Sequence, residues 1–112
     1  MKFKSRESKG ITIIELTGNV MGGPDATSLN EQLHKLIEGN KKKVVVDLEE
    51  VKFINSSGLG MLIGGLTTLR NSGGDMKLAR ASQKIEDLLK MTKLTTVFDI
   101  HQDVNHAVAA FK

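Results

Sequence analysis

An α/β domain organised on a mostly parallel sheet is the fold class this sequence predicts, on three observations. From residue 11 onward, short β-branched or apolar runs alternate with stretches whose apolar residues recur at helical spacing. The run Lys43-Val-Val-Val-Asp-Leu48 is nearly continuous in apolar character, as in a strand covered on both faces. Helix start and stop signals fall where the runs change character. The expectation is one small domain over residues 1–112, a mixed, mostly parallel sheet of about four to five strands with about four helices packed mainly on one face.

Each element has its own warrant. Ile11-Thr-Ile-Ile-Glu-Leu-Thr17 is β-branched and nearly alternating, hence a strand. Phe3 to Glu7 can pair with it as a hairpin, turning through Ser8-Lys9-Gly10. Gly22-Gly-Pro-Asp25 opens a helix, with Pro24 at the first helical position and Asp25 near the positive end of the dipole. Ala26, Leu29, Leu33, Leu36 and Ile37 form its apolar stripe, and Gly39-Asn40 stops it. The covered strand at 43–48 comes next. After Phe53-Ile54, a second helix opens at Asn55-Ser56-Ser57 and ends at Asn71-Ser-Gly-Gly74. Met76-Lys-Leu-Ala79 is a strand, and Ser82 caps a third helix carrying Ile85, Leu88, Leu89 and Met91. Val97-Phe-Asp-Ile100 reads as a fourth parallel strand. Asp103 caps a last helix with Val104, Ala107, Val108 and Phe111.

Composition narrows the function. Sixteen Lys plus Arg against thirteen Asp plus Glu leave a net charge of +3, and the aromatic fraction is 4% with no Trp or Tyr to stack bases. No nucleic-acid partner is therefore expected. The absence of Cys excludes disulfides, thiolate metal sites and a Cys nucleophile. No apolar run approaches the roughly 20 residues of a membrane span, and Met-Lys-Phe-Lys lacks the apolar segment of a signal peptide. A cytoplasmic protein without a membrane partner is expected. Lys41-Lys42-Lys43 reads as a solvated turn. His34, His101 and His106 lie on different elements without metal-ligand spacing, so no metal or cofactor is expected.

The second helix departs from structural economy. Gly58, Gly60, Gly64 and Gly65 lie within it, and each costs about 1 kcal/mol relative to Ala in a helix interior. At about 100° per residue, Leu59, Leu62, Ile63, Leu66 and Leu69 fall on a face that meets the sheet. Gly60, Met61, Gly64 and Thr68 fall opposite, with Ser57 beside them if it is helical. Such a small, uncharged face around one adaptable Met lets another backbone approach closely. The alternative is that the glycines relieve crowding against a neighbouring helix of the same domain. The helix also begins with two hydroxyls. A capping serine accounts for one of them. A phosphoryl group on either would face unpaired N–H groups and the positive dipole end, yet its charge of about −2 would be costly inside an uncharged contact.

Phe53-Ile-Asn-Ser-Ser-Gly-Leu-Gly60 resembles the signature of STAS domains of the bacterial anti-sigma factor antagonist type. The resemblance covers nearly the whole chain: Leu16-Thr-Gly18, Val44-Val-Val-Asp-Leu48, Gly73-Gly74 and the Leu94 to Ile100 segment stand in the family's order. It implies a non-enzymatic partner switch. The unphosphorylated domain would bind an anti-sigma factor that is also an ATP-dependent serine kinase. Phosphorylation would release it, and a PP2C-type phosphatase would reset it. The implied acceptor is Ser56 rather than Ser57. Asn55, Ser57, Gly58, Leu59, Gly60, Met61, Gly64, Thr68, Met21 and Gly22 would form the partner surface. The chain departs from the family at Asn55, where Asp is usual, and in Asn19-Val-Met-Gly-Gly23, where acidic residues are usual.

Three other readings compete. Gly58-x-Gly60-x-x-x-Gly64 after a short strand is similar to nucleotide-binding glycine turns, with Arg80 placed to meet a phosphate, but the chain lacks a second βαβ half and a Walker Lys. A nucleophilic role for Ser56 or Ser57 lacks the Gly-x-Ser-x-Gly turn and a base. The remaining alternative is a STAS module of a transporter, lipid-transport or other signalling complex that binds without phosphorylation.

Overall fold

A computed structural model describes residues 1–111 of the chain. β1 (Lys2–Ser8) and β2 (Ile11–Val20) form the expected antiparallel hairpin. Its two turn residues, Lys9 and Gly10, take φ of 54° and 80°, the twist that a tight hairpin requires. α1 (Pro24–Glu38), β3 (Lys43–Ile54), α2 (Ser56–Asn71), β4 (Asp75–Ala79), α3 (Gln83–Met91), β5 (Asp99–His101) and α4 (Val104–Ala110) follow.

The five strands lie in the order β1-β2-β3-β4-β5, and only β1 is antiparallel. Parallel strands added always on the same side, through right-handed crossovers, bring their connecting helices to one face. Accordingly Leu29 and Leu33 of α1, Leu62, Leu66 and Leu69 of α2, and Ile85 and Leu89 of α3 share one core with Ile14, Val44, Val46 and Leu78. Burying each such side chain contributes about 1.5–3 kcal/mol. α4 follows the last strand and covers the other face, where Val104, Ala107 and Val108 meet Ile11, Ile13, Val45 and Ala79. This two-sided cover is why the β3 sequence is continuously apolar.

Three elements differ from expectation, the first being β2, which runs on to Val20 rather than ending at Thr17. β3 continues to Ile54, well beyond the predicted 43–48, because β2 keeps pairing with it as far as Val20↔Ile54. The last strand is only three residues long, not the predicted 97–100. Leu94–Thr96 is a 3-10 turn, and the Phe98 N–H donates back to the Leu94 carbonyl at 2.9 Å. Phe98 is thereby turned into the core, 3% exposed, as its apolar side chain favours.

Arg80, at the end of β4, closes a charged cluster. Its Nε donates to Asp47 Oδ1 at 3.0 Å and its Nη2 to Oδ2 at 2.5 Å, while Nη1 pairs with Glu49. Asp47 is 2% exposed, and the fork of bonds from Arg80 supplies the partners a buried carboxylate needs. Asp47 in turn holds the guanidinium charged far above its ordinary range. This arginine is thus engaged in a structural pair, which weighs further against the competing nucleotide reading.

Candidate functional site at the start of the second helix

The end of β2 and the start of α2 are clamped together by backbone contacts. Asn55 N–H donates to the Val20 carbonyl at 3.2 Å. Asn55 is extended, with φ −96° and ψ −179°, and its Oδ1 accepts the Gly58 N–H at 2.8 Å. The cap is therefore Asn55, which corrects the expectation that one serine performs it. Any β-carbon on Gly58 would collide with the Val20 carbonyl oxygen. Across the same junction, Gly22 has φ +80° and a β-carbon there would stand 2.7 Å from Ser57 Cβ. These two glycines let the strand end, the loop and the helix start meet at backbone distance.

What this clamp presents is a pair of exposed hydroxyls. Ser56 and Ser57 are both exposed at the first two helical positions. Neither makes a side-chain hydrogen bond among the described residues. With Gly58 N–H given to the cap, the N–H groups of Ser56 and Ser57 have no intrahelical acceptor. The first turn holds no acidic residue. The local field is that of a bare helix N-terminus, which favours an anion.

The four glycines of α2 divide into two kinds. Beside Gly58, Gly65 is buried, and a β-carbon there would lie 3.0 Å from Leu33 Cδ1 of α1 and from Met76 Cε. Crowding against a neighbouring helix thus explains Gly65, whereas Gly58 is required by the end of β2. Gly60 and Gly64 are exposed, with no atom within 4 Å of a β-carbon. Together with half-buried Thr68 and with Thr27, Asn30 and Glu31 of α1, they line an open groove of about 500 Å³.

Met61 is the main correction on this helix. Helical spacing predicts it on the outward face, yet it is 7% exposed and belongs to the core. α2 is covered on two sides, by the sheet and by α1, so its buried arc is wider than one face. Leu59, 7% exposed, and Gly58 and Gly22, both buried, likewise bring no free side chain to the surface. Ile63, expected against the sheet, is half-buried. Met21 is 45% exposed beside the serine pair's clamp. The exposed residues of the predicted set are thus Ser56, Ser57, Gly60, Gly64 and Met21, with Asn55 and Thr68 partly so.

A protein-family model described as the STAS domain matches residues 2–107. The chain belongs to the STAS domain family. An anti-sigma-B factor antagonist of Bacillus subtilis is 31% identical over 85 residues, covering 73% of this chain and 77% of that protein. An anti-sigma F factor antagonist of Paenibacillus polymyxa is 22% identical over 109 residues, covering 96% and 92%. Among solved structures, an anti-sigma factor antagonist from Mycobacterium paratuberculosis superposes with a TM-score of 0.81 at 18% identity, covering 97% of this chain and 92% of that one. The Bacillus cell fate determinant SpoIIAA in its phosphorylated form gives 0.74 at 16%, covering 99% and 100%. At these identities the structural likenesses establish the fold. The sheet, the helices and their order are those of this STAS group.

Three exposed side chains to which the sequence assigns no site role gather beside the end of β3. Phe53 is 41% exposed and Met91 81%, although the sequence pattern puts Met91 on the apolar stripe of α3. Two residues beyond buried Leu89 is about 200° around a helix, so Met91 points away from the core. That angle was available in the sequence. Lys84, whose Nζ lies 5.9 Å from the Phe53 ring centroid, completes the set.

Proposed function

We propose that this STAS domain is an anti-sigma factor antagonist that docks a serine-kinase anti-sigma factor at the start of α2 and is released when Ser56 is phosphorylated. The observation that carries the proposal is the state of Ser56: exposed, outside the cap, and seated on a rigid backbone junction at a bare helix N-terminus. Because Asn55 caps the helix, phosphorylation takes no structural bond away. The dianion is compatible with the folded domain and unfavourable only for a partner packed dry against the serine. Gly60, Gly64 and Thr68 extend that docking face along α2, and Met21 flanks its origin. The names of the relatives support the regulatory class, and the phosphorylated SpoIIAA form supports a phosphate on this fold. A PP2C-type phosphatase would reverse the modification. The domain acts by binding, in the cytoplasm, without a cofactor.

The test is a titration calorimetry series with purified anti-sigma factor kinases of the source organism. Wild type and Ser56→Ala should bind one of them, and Ser56→Asp should bind it at least tenfold more weakly, about 1.4 kcal/mol. With ATP, that kinase should add one phosphate, mapped by peptide mass spectrometry to Ser56. Equal affinities for the Ala and Asp variants, or modification at Ser57 alone, would reject the switch. A STAS module that binds its partner without phosphorylation would then be the better account.

A further inference from the structure

We propose that the groove between the end of β3 and α3 is a second docking point for the same anti-sigma factor. Its occupant is an acidic segment of that partner carrying one apolar anchor side chain. The inference rests on the function proposed above and adds a contact to it.

The groove has a volume of about 310 Å³. Phe53 and Ile54 form one wall, and Ile85, Leu88 and Met91 form the other. Large apolar side chains exposed among the described residues are Met21, Phe53 and Met91, and two of these three meet in this one place. Core packing does not explain them. An exposed Phe and an exposed Met lining one concave site form an anchor pocket for an apolar side chain.

Charge specifies what surrounds that anchor. Lys52 and Lys84 stand at the groove with exposed side chains, and Lys84 leans over the Phe53 ring. The acidic lining residue is Asp87, whose Oδ1 already accepts from Gln83 Nε2 at 2.8 Å. A segment that places carboxylates on either side of its anchor meets both lysines.

The backbone adds a third argument. β4 leaves β3 after the pair Asp47↔Ala79, so residues 48–54 have a neighbouring strand on the β2 side alone. An extended segment can approach that edge. The groove also lies close to the serine site along the chain, because Ile54 immediately precedes the Asn55 cap. A partner covering Ser56 therefore has this groove within reach.

The experiment repeats the calorimetric titration, using the anti-sigma factor that binds wild type, on Met91→Ser, Lys84→Glu, Ser56→Asp and the Ser56→Asp/Met91→Ser double variant. Thermal melts of the two groove variants should stay close to wild type, since both side chains are exposed at the groove and neither belongs to the core. Each groove variant should lose at least tenfold in affinity, and the Lys84→Glu loss should shrink at high salt. In the double variant the two fold-losses should multiply, as for separate contacts. Groove variants that bind like wild type, while Ser56→Asp does not, would overturn the groove and leave the switch standing. If no anti-sigma factor binds wild type, the switch fails and the groove fails with it. Analytical ultracentrifugation provides the other check: a self-association that Met91→Ser abolishes would make the occupant a second copy and overturn the assignment.

Discussion

Gly58 lies against the carbonyl oxygen of Val20 so closely that a β-carbon at position 58 would overlap it. This contact joins the last residue of β2 to the first turn of α2 and sets where Ser56 emerges. The obstacle is backbone, which cannot rotate away as a side chain can. Gly58→Ala should therefore destabilise by at least the 1–3 kcal/mol typical of overpacking, and lower Tm by about 4–8 °C per kcal/mol in a small domain. Gly60→Ala and Gly64→Ala should do the opposite, each raising stability by up to about 1 kcal/mol, because open space surrounds both positions. Differential scanning calorimetry on the three variants separates the two kinds of glycine. A Gly58→Ala protein melting with wild type would show that the junction is not the rigid seat described above.

Asn55 offers a second measurement. Its side-chain oxygen satisfies the Gly58 N–H, so Asn55→Ala should cost about 1 kcal/mol. Asn55→Asp keeps an acceptor of the same reach and adds a charge favoured by the dipole, so it should melt at or slightly above the wild-type temperature. Equal melting of the Ala variant and wild type would contradict the cap.

The Arg80–Asp47 pair predicts a strong asymmetry between single and double replacement. Arg80→Met strands a carboxylate that is 2% exposed and should cost about 3 kcal/mol in urea unfolding. The Asp47→Leu/Arg80→Met double variant removes both charges and should recover most of that loss. A double variant no better than the single one would place the stabilisation in packing rather than in charge pairing.

The acid limb of stability should run partly through Asp99. Lys77 Nζ at 2.7 Å, with His101 Nε2 at 3.0 Å, holds this carboxyl below its ordinary range. A carboxyl depressed in the folded state contributes stability above its unfolded pKa, near 4, and loses it as pH falls through the lower folded value. Asp99→Asn should therefore lower stability near pH 6 and flatten its decline as pH falls below about 5. Because Asp99 is 51% exposed, the effect is modest and should shrink in high salt. Parallel curves for the two proteins across that range would remove Asp99 from the acid response.

Much of this domain was legible in the chain before any coordinates. The hairpin at Lys9-Gly10, Pro24 at the head of α1, Ser82 at the head of α3 and Asp103 at the head of α4 are all local chemistry, and each stands where expected. The Asn55-Ser56-Ser57 helix start was legible for the same reason. The short β5 was not, because Val97 and Phe98 carry strand propensity that burial of Phe98 overrode.

Local pattern, then, was sufficient to establish element order, sheet class and the position of the serine pair, since periodicity and capping act within a few residues. Which residues of α2 meet solvent was decided by folding in three dimensions. Four glycines that look alike in the chain separate into two that permit contact and two that border open space, and Met61 passes from surface to core. The cause is α1, which lies along a second side of α2. No spacing rule within a helix reveals which neighbour will cover it.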